Sequence, residues 1–166
     1  VILQPASAWD PLDRNLIFSV TKNGVFNFVL FNVDTKETQY VESEIDLLDR
    51  WCYDFKNKTA YGVHHLTKGK DEHAYYLLTI RLANGQILDK NSLPDVKSQI
   101  IADAALDAEN KILAFSLQSM NNQGREEVRI IDVETGRTLF YQDIAKLYFG
   151  ITSGLEFVES SWRLHY

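Results

Sequence analysis

Proline is scarce in this chain, three among 166 residues, so no proline-rich linker divides it. Cysteine is scarcer. Cys52 stands alone, which excludes an internal disulfide and a zinc site of paired thiolates. Its solitude fits a reducing compartment and equally an extracellular domain without bridges, so localisation stays unknown. No apolar run approaches the ~20 residues that span a bilayer, and no basic segment followed by an apolar stretch opens the chain. Membrane insertion is therefore not expected. Basic residues are outnumbered, 17 against 23 acidic, for a net charge of −6. With both signs mixed along the length and no compact polybasic cluster, binding to nucleic acid or to an anionic membrane surface is disfavoured. The first residue is Val1 and the only methionine is Met120, so the sequence reads as a processed or excised piece.

What the chain does hold is apolar residue at 45%, charge at 24% and aromatic residue at 12%. That is the composition of a soluble globular domain with a sizeable core and little room for a second. Its pattern is repetitive. The stretch "VRIIDVETGRTLFY" (Val128 to Tyr141) alternates, turns at Glu-Thr-Gly and alternates again, as do "FVLFNVDTKETQYV" (Phe28 to Val41) and "LLTIRLANGQILDK" (Leu77 to Lys90). Laid over one another, the three hairpins bring their upstream segments into line. "AWDPLDRNLIFSV", "CYDFKNKTAYGV" and "ALDAENKILAFSL" each carry an aspartate (Asp10, Asp54, Asp107), a polar turn and a strand aromatic (Phe18, Tyr61, Phe115). A further copy begins at "EFVESSWRLHY", with Tyr166 as its aromatic.

Each repeat divides into four short strands. Strand A is the apolar lead-in, Leu47 to Tyr53 or Ile100 to Leu106. Strand B carries the aromatic: Leu16 to Val20, Thr59 to His64, Ile112 to Gln118. Strand C is the alternating run Phe26 to Val33, Ala74 to Leu82 or Glu127 to Val133, and strand D closes the repeat. The aspartates suit tight A–B turns because their side chains bond the local backbone. Only "SQIIADAALDAENK" and "DIAKLYF" carry helix propensity. Register with the sister repeats assigns the former to strand, since context overrides propensity.

Four-stranded repeats every ~40–50 residues are the pattern of β-propeller blades. The segment "VRIIDVETGRTL" resembles the C–D hairpin of the broad propeller superfamily that includes YVTN-type, quinoprotein-like and WD-repeat blades. The resemblance covers most of the chain and implies an all-β partial propeller: about three four-stranded antiparallel blades plus the start of a fourth. The repeats run approximately over 6–41, 47–90, 100–141 and, in part, 148–166. The WD-repeat dipeptides and the quinoprotein tryptophan pattern are missing at the matching places. "VILQP" at the start reads as an orphan strand, either left over from a longer propeller or pairing with the last repeat to close a small ring. The longer propeller is the preferred reading.

Liganding residues are densest in "HHLTKGKDEH". Across that B–C hairpin His65 and His73, with Asp71, could form a two-His-one-carboxylate metal site; a solvated hairpin tip is the plainer expectation. His64 points to the opposite face from His65. Nucleophilic catalysis has little support. "GITSG" misplaces its serine for a nucleophile elbow, and Cys52 on an inner strand is expected to be buried and inert. No glycine-rich phosphate loop occurs. Asn57-Lys58-Thr59 is a glycosylation triplet on a turn. Trp51, Tyr75 and Trp162 are candidates for sugar stacking, with a core position the competing expectation for each.

By analogy with propellers, the B–C turns and D-to-A connections would share one end and form a partner-binding face displaying Lys22, Asn23, Lys68, Lys70, Asn122 and Arg125 next to Glu44, Asp46 and Asp95. That mixed polar surface suits a protein better than a dry pocket. The expected function is a non-catalytic protein–protein interaction scaffold without cofactor, its partner another protein or the rest of its own propeller. A propeller enzyme with an axial or His-containing metal site and a carbohydrate-binding propeller are the alternatives.

Overall fold

The computed structural model describes residues 2–48, 50–67, 73–96, 99–119, 126–143, 155–158 and 161–164. Among them no helix occurs. Twelve strands form three four-stranded antiparallel sheets, each a meander in chain order. The first sheet is β1 (Ile2–Asp10), β2 (Asn15–Lys22), β3 (Val25–Asn32) and β4 (Thr38–Glu42). The second is β5 (Trp51–Asp54), β6 (Thr59–Thr67), β7 (His73–Arg81) and β8 (Ile87–Ser92). The third is β9 (Gln99–Asp107), β10 (Ile112–Ser119), β11 (Glu126–Asp132) and β12 (Thr138–Asp143). A last antiparallel pair, β13 (Leu155–Val158) and β14 (Ser161–Leu164), lies beside β9 and supplies two strands of a fourth repeat. This is the strand content of a partial β-propeller.

The alanine-rich lead-in to the third sheet is strand, as register with its sisters requires. Two expectations need correction. "VILQP" is no orphan: Ile2 and Leu3 already pair with Thr21 and Val20, and one strand runs on to Asp10 through a register shift between Leu3 and Ser7. Pro5 has no N–H to give the ladder, so it interrupts pairing without ending the edge strand. The lead-in Leu47 to Tyr53 also pairs only from Trp51. Leu48 is instead fully buried, packed where a side chain on Gly62 would stand.

The turns explain why these strands recur. In each A–B turn the aspartate accepts from backbone N–H groups two or three residues on. Asp10 takes Leu12 and Asp13, Asp54 takes Lys56 and Asn57, and Asp107 takes Asn110. The basic residue four places later adopts positive φ: Arg14 at 57°, Lys58 at 54°, Lys111 at 56°. Its carbonyl then accepts from the start of the C–D turn, at Val33, Leu82 and Val133. The β2–β3 hairpin closes through Asn23-Gly24 with both φ positive, the two-residue turn that matches strand twist.

These turn contacts also fix how the repeats correspond. Phe18 pairs across the sheet with Ser7, Phe115 with Ala104, and Gly62 with Trp51. Gly62, one residue beyond Tyr61, is therefore the true counterpart of the two phenylalanines. Each A/B pair holds one aromatic and one small residue, and the second repeat has the two exchanged.

The chain packs as two compact units, Val1–His65 with Leu78–Lys90, and Leu66–Leu77 with Asn91–Tyr166. In the first, Phe26 and Phe28 meet edge to face at 5.0 Å between centroids, and Phe28 meets Trp51 likewise at 5.2 Å. The Trp51 indole N–H donates to Ser19 Oγ at 2.9 Å, so its polar atom is satisfied in the core. In the second, Tyr75, Leu77, Ile101, Leu113, Phe115, Leu117 and Ile131 are buried.

Candidate functional sites

Three clusters of polar side chains stand out. The first is structural. Asp10, almost wholly buried, receives the Tyr53 hydroxyl at 2.9 Å and Lys58 Nζ at 2.6 Å in addition to its two turn N–H groups. Burial works to raise its pKa, but Lys58, the Asp13 N–H, Tyr53 and the Leu12 N–H together hold it below the ordinary 3.8. Burial and then the neighbouring Asp10 push the Tyr53 phenol far up. For Lys58, burial pulls down while Asp10 and Asp13 prevail and raise it. These groups lock the first turn to the second sheet's first turn.

The second cluster contains the sequence-derived metal candidates. His65 is half-buried near the end of β6, and His73 opens β7; Asp71 lies outside the described residues. His64 is buried with Nδ1 at 2.7 Å from the Leu47 carbonyl, so it anchors the segment entering β5. Among the described residues no group of three or more His, Cys, Asp or Glu is set to hold a metal. Of the expected partner-binding face, Lys22 and Asn23 sit exposed at the β2–β3 turn; Lys68, Lys70, Asn122 and Arg125 fall outside the described residues. Cys52 is half-buried rather than buried. Trp51 and Tyr75 are core residues, so neither can stack on a sugar. The Asn57 amide donates to Asp54 Oδ2 at 2.7 Å, as Asn110 does to Asp107. A shared turn bond thus accounts for the Asn in the glycosylation triplet.

The third cluster was not read from sequence. On β11, Arg129 Nε donates to Glu127 Oε1 at 2.7 Å, and both residues are more than nine-tenths buried. Arg129 Nη2 donates to the Asp95 carbonyl at 2.8 Å. The Tyr141 ring, from the cross-strand partner, lies 5.1 Å from the guanidinium carbon. Burial, then the charges of Glu127 and Asp143, raise the Tyr141 phenol. A cleft of about 290 Å³ opens beside Arg129, floored by Leu93, Val96, Phe115 and Ile131 and rimmed by Thr135, Arg137 and Thr138. The only sequence sign was a departure from the sister repeats, visible once the register was known.

The fold and these sites define an all-β repeat protein with four-stranded antiparallel sheets as its building block. No known family matches the chain, and no curated protein does either. Among solved structures it is similar to the hydrazine synthase of Kuenenia stuttgartiensis, with a TM-score of 0.55 and 13% identity. The match covers 75% of this chain and 37% of that one. A likeness at that identity is one of fold alone.

Proposed function

We propose that this chain is a non-catalytic protein-interaction scaffold built on propeller blades, and that the outer strand of a blade receives an extended segment of the partner protein. The blades are assigned to the broad superfamily of YVTN-type, quinoprotein-like and WD-repeat propellers, a reading supported by the "VRIIDVETGRTL" hairpin.

The observation that carries the proposal is β12. Among the described residues it is the edge strand of its sheet, and three successive large apolar residues, Leu139, Phe140 and Tyr141, are 45%, 48% and 50% exposed. Successive side chains point to opposite faces, so the ribbon is apolar on both sides. Its ladder with β11 shifts register between Ile130 and Ile131, leaving Leu139 without a partner residue. An edge strand offers a row of backbone donors and acceptors, and strand addition with apolar side-chain contacts uses both features. Tyr40 on β4 and Leu88 on β8, the fourth strands of their own sheets, are exposed as well.

The test is selection of extended peptides from a displayed random library, followed by binding to a Leu139→Lys, Tyr141→Glu variant. Selected peptides should lose binding to the variant. Peptides that bind both proteins equally, or a library that yields no binder, would refute the proposal.

A further inference from the structure

The C–D turns supply a common ruler for the three sheets. Asn32, Arg81 and Asp132 each donate their N–H to the carbonyl five residues on, at Glu37, Gln86 and Arg137. Three residues before these donors stand Val29, Leu78 and Arg129, exposed by 2%, 0% and 7%. Two repeats therefore fill this position with aliphatic core. The third fills it with a guanidinium and buries Glu127 to balance it.

Burying an ion pair returns less than an apolar pair of similar size, so stability does not account for the exchange. The fold forms the same turn without it twice over. A local rule broken in one repeat out of three, beside a cleft, is where function is expected to reside.

The donor inventory of Arg129 is incomplete. Nε is committed to Glu127 and Nη2 to the Asp95 carbonyl, while Nη1 has no hydrogen-bond partner among the described residues. Arg137 is exposed at the rim with Thr135 and Thr138. Glu127 is paired with Arg129; the Arg137 charge stands near Asp132, and the exposed Asp95 also lines the cleft, so the carboxylate is selected by the free Nη1 donor and the rim guanidinium rather than by net charge. The floor is apolar. Its volume is at the lower end for small-molecule pockets.

We propose that this cleft binds a small organic monocarboxylate with an apolar body, its carboxylate received by Arg129 Nη1 and Arg137 and its body laid on Leu93, Pro94 and Val96. A guanidinium is the side chain suited to a carboxylate, and the Tyr141 ring and Glu127 hold this one in place. The inference shares Tyr141 with the docking of a partner on β12, and Arg137→Gln, which leaves Leu139, Phe140 and Tyr141 in place, tells the two apart.

Phenylacetate and 4-methylpentanoate serve as probes, with phenylacetamide as the neutral counterpart, titrated by calorimetry. At least one acid should bind about tenfold more tightly than the amide, the worth of one charge-assisted contact. The variant Arg129→Leu, Glu127→Gln, checked for retained circular dichroism, should lose that preference. Arg137→Gln, a surface change that leaves the core alone, should weaken acid binding about threefold to tenfold and serves if the core variant fails to fold. Equal binding of acid and amide, no binding of either acid, or acid binding indifferent to Arg137→Gln would overturn the proposal. So would acceptance of an acidic peptide by a cleft that ignores both small acids.

Discussion

The backbone carbonyl of Glu42 occupies the space into which any side chain on Gly85 would project. Ser43 Oγ donates to the Gly85 carbonyl at 3.1 Å and secures the same approach. One repeat later, Gly136 meets Asn91 in the same manner: a Cβ there would stand 2.6 Å from Asn91 Cβ, and Asn91 Nδ2 donates to Glu134 O at 3.1 Å. These two glycines therefore answer to close approach as well as to their positive φ of 72° and 70°.

Gly24 separates those two demands. Its φ is 79° and nothing lies within reach of a Cβ. Gly24→Ala should cost about 1 kcal/mol from backbone strain alone, and Gly85→Ala about 3 kcal/mol or more. Urea unfolding of both variants measures the difference. Equal costs would mean that the Glu42 approach is not tight.

Trp51 tests the exchanged aromatic pair. Trp51→Phe keeps an aromatic ring against Phe28 but removes the donor to Ser19 Oγ, so it should cost about 1–2 kcal/mol. Trp51→Ala opens a cavity opposite Gly62 and should cost about 3–5 kcal/mol. Gly62 cannot be enlarged in compensation, because a Cβ there meets Arg50 O at 2.7 Å and Leu48 Cδ2 at 2.6 Å. The double variant Trp51→Ala, Gly62→Phe should therefore be less stable than Trp51→Ala alone in thermal unfolding.

The turn aspartates, the C–D hairpins and the four-strand repeat were all legible in the sequence, because each is a local device repeated with the same chemistry. The exchanged pair was not. Tyr61 stood near the expected aromatic position, and only the pairing of Trp51 with Gly62 shows which column is occupied. Arg129 was hidden for a related reason. Alternation in "EVRIIDV" suggests that Glu127 and Arg129 face water, yet 127, 129, 131 and 133 are the buried series and Val128 and Ile130 are half-buried. When both faces of a strand are covered, alternation distinguishes two sides without saying which is wet. The edge character of β12 needed topology, since an exposed apolar triplet looks like core in a linear chain.

Asp10 and Lys58 predict a pH dependence with two limbs. The folded state lowers the Asp10 pKa, so its contribution is complete above the ordinary 3.8 and is lost as pH falls through the folded value. The folded state raises the Lys58 pKa, so that contribution is complete below 10.5 and is lost as pH rises through the folded value. Lys58→Met should shrink both limbs: Asp10 keeps its turn N–H bonds, and the Tyr53 phenol, also raised in the folded state, keeps part of the alkaline limb. Urea midpoints of wild type and variant, measured from pH 2.5 to 11 (roughly spanning both ordinary values), should diverge most near neutrality. Parallel profiles would show that the pair carries no linkage.

The Glu127–Arg129 pair yields the sharpest energetic prediction. Removing one member leaves its partner charged and buried, and such cuts cost about 3–5 kcal/mol. Arg129→Leu leaves Glu127 without its guanidinium, and Glu127→Gln leaves Arg129 with a weaker acceptor, so the first should be the more damaging. Removing both charges together installs at position 129 the residue type that Leu78 already supplies in the second repeat, fully buried. The double variant should therefore lie within about 1 kcal/mol of wild type, on either side. A double-mutant cycle by urea unfolding reads the coupling directly. Strong coupling with a nearly neutral double variant would show that the pair is kept for something other than holding the sheet together. A double variant as unstable as the sum of the singles would instead make Arg129, with its bond to the Asp95 carbonyl, a structural strut of the third sheet.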